Sequence, residues 1–328
     1  MARKYLRPVW RRPGGATVAV VQPFRFAVYS NDAERADDWT AFARRAEELG
    51  YAALYLTDHL NRQLAPTAAL AAAAAVTRTL RIGPYVFSND FRHPLLVARE
   101  AATLDRLSGG RLDLGLGAGW RVRDYRQLGI AYDRPGMRID RLIESLGLIR
   151  RLLQGEEVTH RGRFYQLERA RVLPAPVQVP HPPIMLGGGG PRMLRLAARE
   201  AQIVSFVPQF SPSGRPMLRA IGESGLAERA AIVRVAAGDR FDDLILDVFV
   251  ADAGVLGSGQ PPGRTLRAAL RAIGPALIGG SPYLLYGTLD HLREAMVRRR
   301  DQLGINSYGI PGRAMEALAP LVASLAGR

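Results

Sequence analysis

The chain has 328 residues, 48% of them apolar and 23% charged, an ordinary globular composition that excludes a wholly disordered protein. It has no cysteine, which removes disulfides, thiolate nucleophiles and cysteine-ligated metal, and no apolar run approaches the roughly 18–20 residues that span a bilayer. The net charge is +15, yet Lys4 is the only lysine among the 45 basic residues, a pattern of GC-rich codon bias and not of a surface selected for nucleic acid.

The N-terminus is the exception, with Arg3, Lys4, Arg7, Arg11 and Arg12 unaccompanied by any acid. The Arg11-Arg12 pair resembles an export signal, but the apolar run that follows, over 16–21, falls short of the ~7–15 residues of a signal core. Residues 1–23 are therefore expected to be a basic, mobile extension of a cytoplasmic protein, and 24–328 a single domain.

From Phe24 onward, short apolar runs alternate with amphipathic ones. The pattern predicts a strand over 26–29 and a helix over 33–49 that stops at Gly50, then a strand over 52–56 and a helix over 66–79 opened by Pro66. A strand over 80–87 and a helix over 94–107 come next, and Ser108-Gly109-Gly110 turns the chain into a strand over 112–116. A helix is expected over 136–153. The proline-rich stretch 155–182 reads as a hairpin plus an extended connection. Then come a strand over 183–186, a helix over 193–200 and strands over 203–207 and 244–250. A Gly/Pro-rich insertion precedes helices over 264–273 and 288–303, and a strand over 305–310 and a helix over 314–325 close the chain.

Eight βα units whose strands are apolar on both faces predict an α/β fold, a single (β/α)8 TIM barrel with insertions after the fourth and seventh strands. No G-x-G-x-x-G follows the first strand, which disfavours an open dinucleotide-binding sheet.

In such a barrel the chemistry lies where strands end. The second strand ends in Thr57-Asp58-His59, and a histidine there is either an acid–base group or a loop residue capping the barrel. His93, before Pro94, reads as a helix cap. His160, His181 and His291 read as structural, and no spacing of histidines suggests a metal site. Four glycines in a row, Gly187, Gly188, Gly189 and Gly190, precede a helix carrying Arg192. Such glycines either let backbone amides close on a phosphate or simply form a flexible turn. Gly117-Ala118-Gly119-Trp120 is small and then aromatic, suited to a flat ligand walled by Trp120 or to tight barrel packing. There is no Ser-His-Asp arrangement, nucleophile elbow or Walker motif.

One block carries a resemblance: Arg81-Ile82-Gly83, then Asn89-Asp90-Phe91-Arg92-His93-Pro94, then Ala98 to Asp105, then Ser108 to Trp120. With Pro182-Pro183-Ile184, the run Gly187-Gly188-Gly189-Gly190 and Leu285-Tyr286-Gly287-Thr288, it resembles the bacterial luciferase-like superfamily, and most closely its F420-dependent oxidoreductases. The resemblance covers about Phe26 to Ile310.

It implies coenzyme F420, or alternatively FMN, at the barrel mouth, a small-molecule substrate and a homodimer, with no nucleic-acid or membrane partner. It implies a non-prolyl cis peptide near Ser88-Asn89 for the ring to lean on, and a cofactor phosphate held by Gly187, Gly188, Gly189 and Gly190. His59, beside Asp58, matches the active-site histidine of deazaflavin-dependent sugar-phosphate dehydrogenases, and the two are expected to be the catalytic pair. Those enzymes carry a catalytic glutamate where this chain has Trp120, so an apolar or conjugated substrate is expected here. The alternatives are an FMN-dependent monooxygenase and a barrel that binds a flavin without catalysis.

Overall fold

The computed structural model describes residues 22–30, 36–208, 220–257, 263, 266–267 and 280–328. The expected N-terminal extension, apart from Gln22 and Pro23, lies outside the described residues, as do most of the expected helix over 264–273 and part of the Gly/Pro-rich insertion before it.

Two apolar sets alternate along the strands, because successive strand side chains point to opposite faces. In β1 (Arg25–Ser30) and β2 (Ala53–Leu56), Phe26, Val28, Leu54 and Leu56 pack outward with helix residues such as Trp39, Leu70 and Val97. Ala27, Tyr29, Ala53 and Tyr55 instead join Tyr85, Met185 and Ile203 in an inner cluster drawn from strands and the bulge after the third. Burial on both sides is what a parallel sheet wrapped by helices requires.

The remaining strands of this sheet are β3 (Arg81–Pro84), β4 (Phe87–Ser88), β5 (Leu114–Gly117), β8 (Ile184–Gly188), β9 (Ile203–Phe206), β10 (Ile245–Phe249) and β13 (Ile305–Pro311). They form one parallel sheet in the order β3-β2-β1-β13-β10-β9-β8-β5-β4. Its two ends, β3 and β4, are consecutive pieces of one barrel strand, and a bridge between Ile82 and Leu112 closes the ring. The eight expected strands are therefore present, the third of them broken in two. The bottom of the barrel is pinned by Asp113, whose buried carboxylate accepts from Tyr55 Oη at 2.7 Å and Arg81 Nε at 2.8 Å, and pairs with Arg25.

The helices are α1 (Ala36–Glu48), α2 (Pro66–Val76), α3 (Pro94–Leu107), α4 (Val122–Leu128), α5 (Pro135–Leu153), α6 (Pro191–Glu200), α7 (Glu223–Ala237), α8 (Leu289–Leu303) and α9 (Met315–Leu325). Prolines open α2, α3, α5 and α6, where the missing N–H costs nothing. The expected hairpin forms from β6 (Val158–Arg161) and β7 (Gln166–Ala170), paired antiparallel. Among the described residues, two helices were not expected from sequence, α4 and α7, and neither was the small parallel pair β11 (Asp252–Val255) and β12 (Leu284–Gly287).

Candidate functional site

The C-terminal ends of β2, β4, β5 and β8 meet at one mouth of the barrel, bringing together most of the residues singled out from sequence. His93 is not among them. It caps α3, its Nδ1 accepting from the Leu95 amide at 3.3 Å, as the sequence suggested.

His59 follows β2, and its Nδ1 lies 2.7 Å from Oδ2 of Asp124 on α4. The Trp120 ring stands edge-on to the imidazole, with centroids 5.6 Å apart and planes at 86°. His59 and Trp120 therefore do meet. Asp58 faces the other way. Its carboxylate accepts from Arg92 Nη1 at 2.6 Å and Nη2 at 3.0 Å, and from the Ser88 amide at 3.0 Å. Asp58, expected to be catalytic beside His59, is in this geometry a brace between β2 and the end of β4, with both oxygens committed.

The non-prolyl cis bond lies at Tyr85-Val86, not near Ser88-Asn89 as expected. It falls between β3 and β4, where the third strand breaks, and so upstream of the residues that follow the break. Val86 projects among glycines of neighbouring strands. A Cβ on Gly115 would approach Val86 Cγ1 to 3.0 Å, one on Gly117 would approach Cγ2 to 2.7 Å, and one on Gly187 would sit at 3.6 Å. These glycines leave room for Val86 as an apolar floor. Asn89, beyond Ser88, is buried and donates from Nδ2 to Tyr165 Oη, at 3.1 Å, in the loop between β6 and β7.

The loop Ala118-Gly119-Trp120 is held from below. Gly119 has φ +74°, and a Cβ there would meet Tyr125 Oη at 2.1 Å. Tyr125 Oη donates to Asp90 Oδ2 at 3.0 Å, and Arg141 Nη1 donates to the same oxygen at 2.7 Å. Arg138 donates to the Gly119 carbonyl, and Tyr132 Oη to the Trp120 carbonyl at 2.9 Å.

The four consecutive glycines do not form one uniform loop. Gly187 and Gly188 are the last residues of β8, so half of the expected phosphate loop is strand. Gly187 faces Val86 and belongs to the floor instead. Gly189, half-buried, forms the bend between strand and helix, and Gly190 is the N-cap of α6 with no side-chain cap. The first amides of a helix lack intrahelical partners, so this terminus favours an anion. A Cβ on Gly190 would meet nothing within 4 Å, so backbone is open to approach there. Arg192 is turned away from these amides. It is exposed, donates to the Gly136 carbonyl at 3.1 Å and pairs with Asp140 on α5.

A cavity of about 370 Å³ lies beside the mouth, beyond Asp90, but its arginines are matched internally. Arg141 pairs with Asp90 and Asp133, and Arg92 with Asp58. Among the described residues no cluster of His, Asp and Glu could hold a metal ion.

Sequence reasoning missed Asp124, Arg92, Tyr165 and Val86. Of these, only Arg92 lay inside a recognised motif, and nothing in that motif named its partner.

A parallel (β/α)8 barrel with a broken third strand, a histidine after the second and an uncapped glycine-led helix after the fifth defines a class of protein. The model of the luciferase-like monooxygenase family matches residues 17–238, and the chain belongs to that family. It is 36% identical over 169 residues to an F420-dependent glucose-6-phosphate dehydrogenase of Microbacterium testaceum, a stretch covering 49% of each chain. It is 33% identical over 157 residues to a 5,10-methylenetetrahydromethanopterin reductase of Archaeoglobus fulgidus, covering 48% of this chain and 45% of that one. The chain thus spans about half the length of these curated relatives. The structure of the coenzyme F420 dependent tetrahydromethanopterin reductase from Methanopyrus kandleri is similar in fold, with a TM-score of 0.74 and 17% identity over 93% of this chain and 99% of that one.

Proposed function

We propose that the protein is an F420-dependent oxidoreductase acting on a small apolar or conjugated organic substrate. The observation that carries this reading is the mouth itself, where an apolar floor of Val86 among glycines adjoins the uncapped N-terminus of α6. A flat tricyclic ring needs the first and its phosphate needs the second. The names of the relatives, an F420-dependent dehydrogenase and a methylenetetrahydromethanopterin reductase, point the same way.

Bound there, a deazaflavin would supply two-electron chemistry by exchanging a hydride at C5 with a substrate carbon. The protein's own share is positioning. Gly188, Gly189, Gly190 and the first amides of α6 would hold the phosphate, while Gly117, Ala118 and Gly119 leave the ring room above Val86. Ser88 and Asn89, fixed by Asp58 and Tyr165, would border it. His59 would exchange a proton with the substrate. Trp120 is 48% exposed and puts an indole where an ionisable group would otherwise contact substrate, which favours apolar or conjugated compounds. Arg192, committed to α5, would lie at the rim and add field but no contact.

The second reading keeps the site and seats FMN, and the family's description as monooxygenases favours it. Titration of the purified protein with F420 and with FMN separates the two. Micromolar F420 binding, and oxidation of reduced F420 by cyclohex-2-en-1-one without oxygen uptake, are expected. Binding of FMN alone, with oxygen consumption, would replace this reading with the second. Binding of neither would overturn both.

A further inference from the structure

His59 takes its carboxylate partner from a helix and not from a strand end. Asp124 lies in the first turn of α4, with its side chain 1% exposed against 21% for His59. Oδ2 meets His59 Nδ1 at 2.7 Å, while the buried Oδ1 has no hydrogen-bond partner, Arg121 Nη1 standing 3.7 Å away. A carboxylate can only accept, so the hydrogen between the two groups belongs to Nδ1. The accessible part of the imidazole is then the side turned from the buried acid, which carries Nε2.

Two further contacts stop this arrangement from rotating. Trp120 packs edge-on against the imidazole. Tyr125, the neighbour of Asp124 on α4, is bonded to Asp90, which Arg141 holds in turn. The helix that carries the acid is therefore anchored to the loop that leaves β4.

We propose that Asp124 is the positioning residue that fixes His59 in the Nδ1–H tautomer, so that Nε2 is the nitrogen that exchanges a proton with the substrate. The second half of this statement rests on the oxidoreductase reading above, whereas the first is a property of the chain without any ligand. A histidine held in one tautomer presents either a lone pair or an N–H at a fixed place, which is what proton exchange in register with hydride transfer requires. The unpartnered Oδ1 fits the same role, because Arg121 can close on it without disturbing the bond to His59.

Nitrogen-15 chemical shifts of the imidazole, measured on ligand-free protein and assigned with His59→Gln, report the tautomer directly. The wild type is expected to show Nδ1 protonated and Nε2 bare at high pH. Asp124→Asn places an amide of the same shape at this position; with its carbonyl oxygen towards Arg121, its NH2 donates to Nδ1, and the variant is expected to move the hydrogen to Nε2. With cyclohex-2-en-1-one and reduced F420, the same variant should lower kcat about 10²–10⁴-fold while KM and F420 affinity change less than threefold. Asp124→Glu, which keeps the acid, should recover at least tenfold of that loss.

An Nε2–H tautomer in the wild type overturns the proposal with no variant needed, and an unchanged tautomer in Asp124→Asn overturns it as well. If the tautomer switches but neither F420 nor FMN binds, the tautomer-fixing role stands while the reading of function falls.

Discussion

Gly119 and Gly190 sit on one rim and are glycines for different reasons. Gly119 has a left-handed backbone, and a Cβ would strike Tyr125 Oη, so Gly119→Ala should cost about 1–3 kcal/mol in urea denaturation. Gly190 has φ −89° and open space around it, so Gly190→Ala should leave stability within about 0.5 kcal/mol of wild type. If backbone closes on a phosphate there, the same change should weaken F420 binding at least fivefold by equilibrium titration. Unaltered affinity would place the phosphate elsewhere. His59→Ala should keep F420 affinity and lower turnover of the enone about 10²–10⁴-fold. Unchanged turnover would remove the role assigned to His59. Much of this rim was legible in the sequence, because glycines and a histidine at strand ends are local signals. Asp124 was not. It reaches His59 from 65 positions along the chain, and no spacing rule joins an acid on one short helix to a loop after another strand.

At the scale of elements, the strands were legible because they are buried on both faces and so read as continuous apolar runs. The third was expected whole and is broken between β3 and β4. No proline marks the Tyr85-Val86 bond, and it is the glycines of β5 and β8, distant in sequence, that make space for Val86. The missed helices differ in cause. α4 is too short for its period to stand out, having only Val122–Leu128 before Gly129 ends it. α7 has a readable repeat, with Leu226, Ala230 and Val233 buried between Gly222 and Gly238, but stands in a stretch between two strands to which the sequence analysis assigns no element. The brace between β2 and β4 gives a prediction at this scale. Arg92→Ala leaves the buried Asp58 carboxylate with only the Ser88 amide, and should cost about 1–3 kcal/mol in chemical denaturation. Because Ser88 borders the proposed ring site, F420 affinity should drop with it. If stability falls and affinity does not, the end of β4 is structural only.

For the whole molecule, the net charge is +15. At the mouth Arg192 is matched by Asp140, while Arg121 stands 3.7 Å from Asp124. The ionic terms that govern stability lie instead inside the barrel, and they have opposite signs. Burial alone would raise Asp113, but Arg25 and Arg81 overcome it and hold the carboxyl well below the usual range. A depressed acid stabilises the fold above its unfolded value, near 3.9, and loses that contribution as pH falls towards its folded value. Asp247 is raised chiefly by burial, despite accepting from Tyr85 Oη at 2.6 Å, Ser205 Oγ at 2.7 Å and Ser307 Oγ at 2.8 Å. It binds its proton more tightly folded than unfolded, so its contribution declines as pH rises above about 4. Stability should therefore fall most steeply on the acid side, where many carboxylates titrate together with Asp113. Asp113→Asn isolates that group. At pH 7 the variant leaves the largely buried Arg25 without the carboxylate it pairs with and should lose about 3–5 kcal/mol. Below about pH 4 the gap between wild type and variant should close by up to about 1.4 kcal/mol per pH unit, because only the wild type still has this proton to gain. Urea denaturation at pH 7, 5, 4 and 3 measures the gap, and a difference that stays constant to pH 3 would show that Asp113 is not the depressed acid its contacts make it.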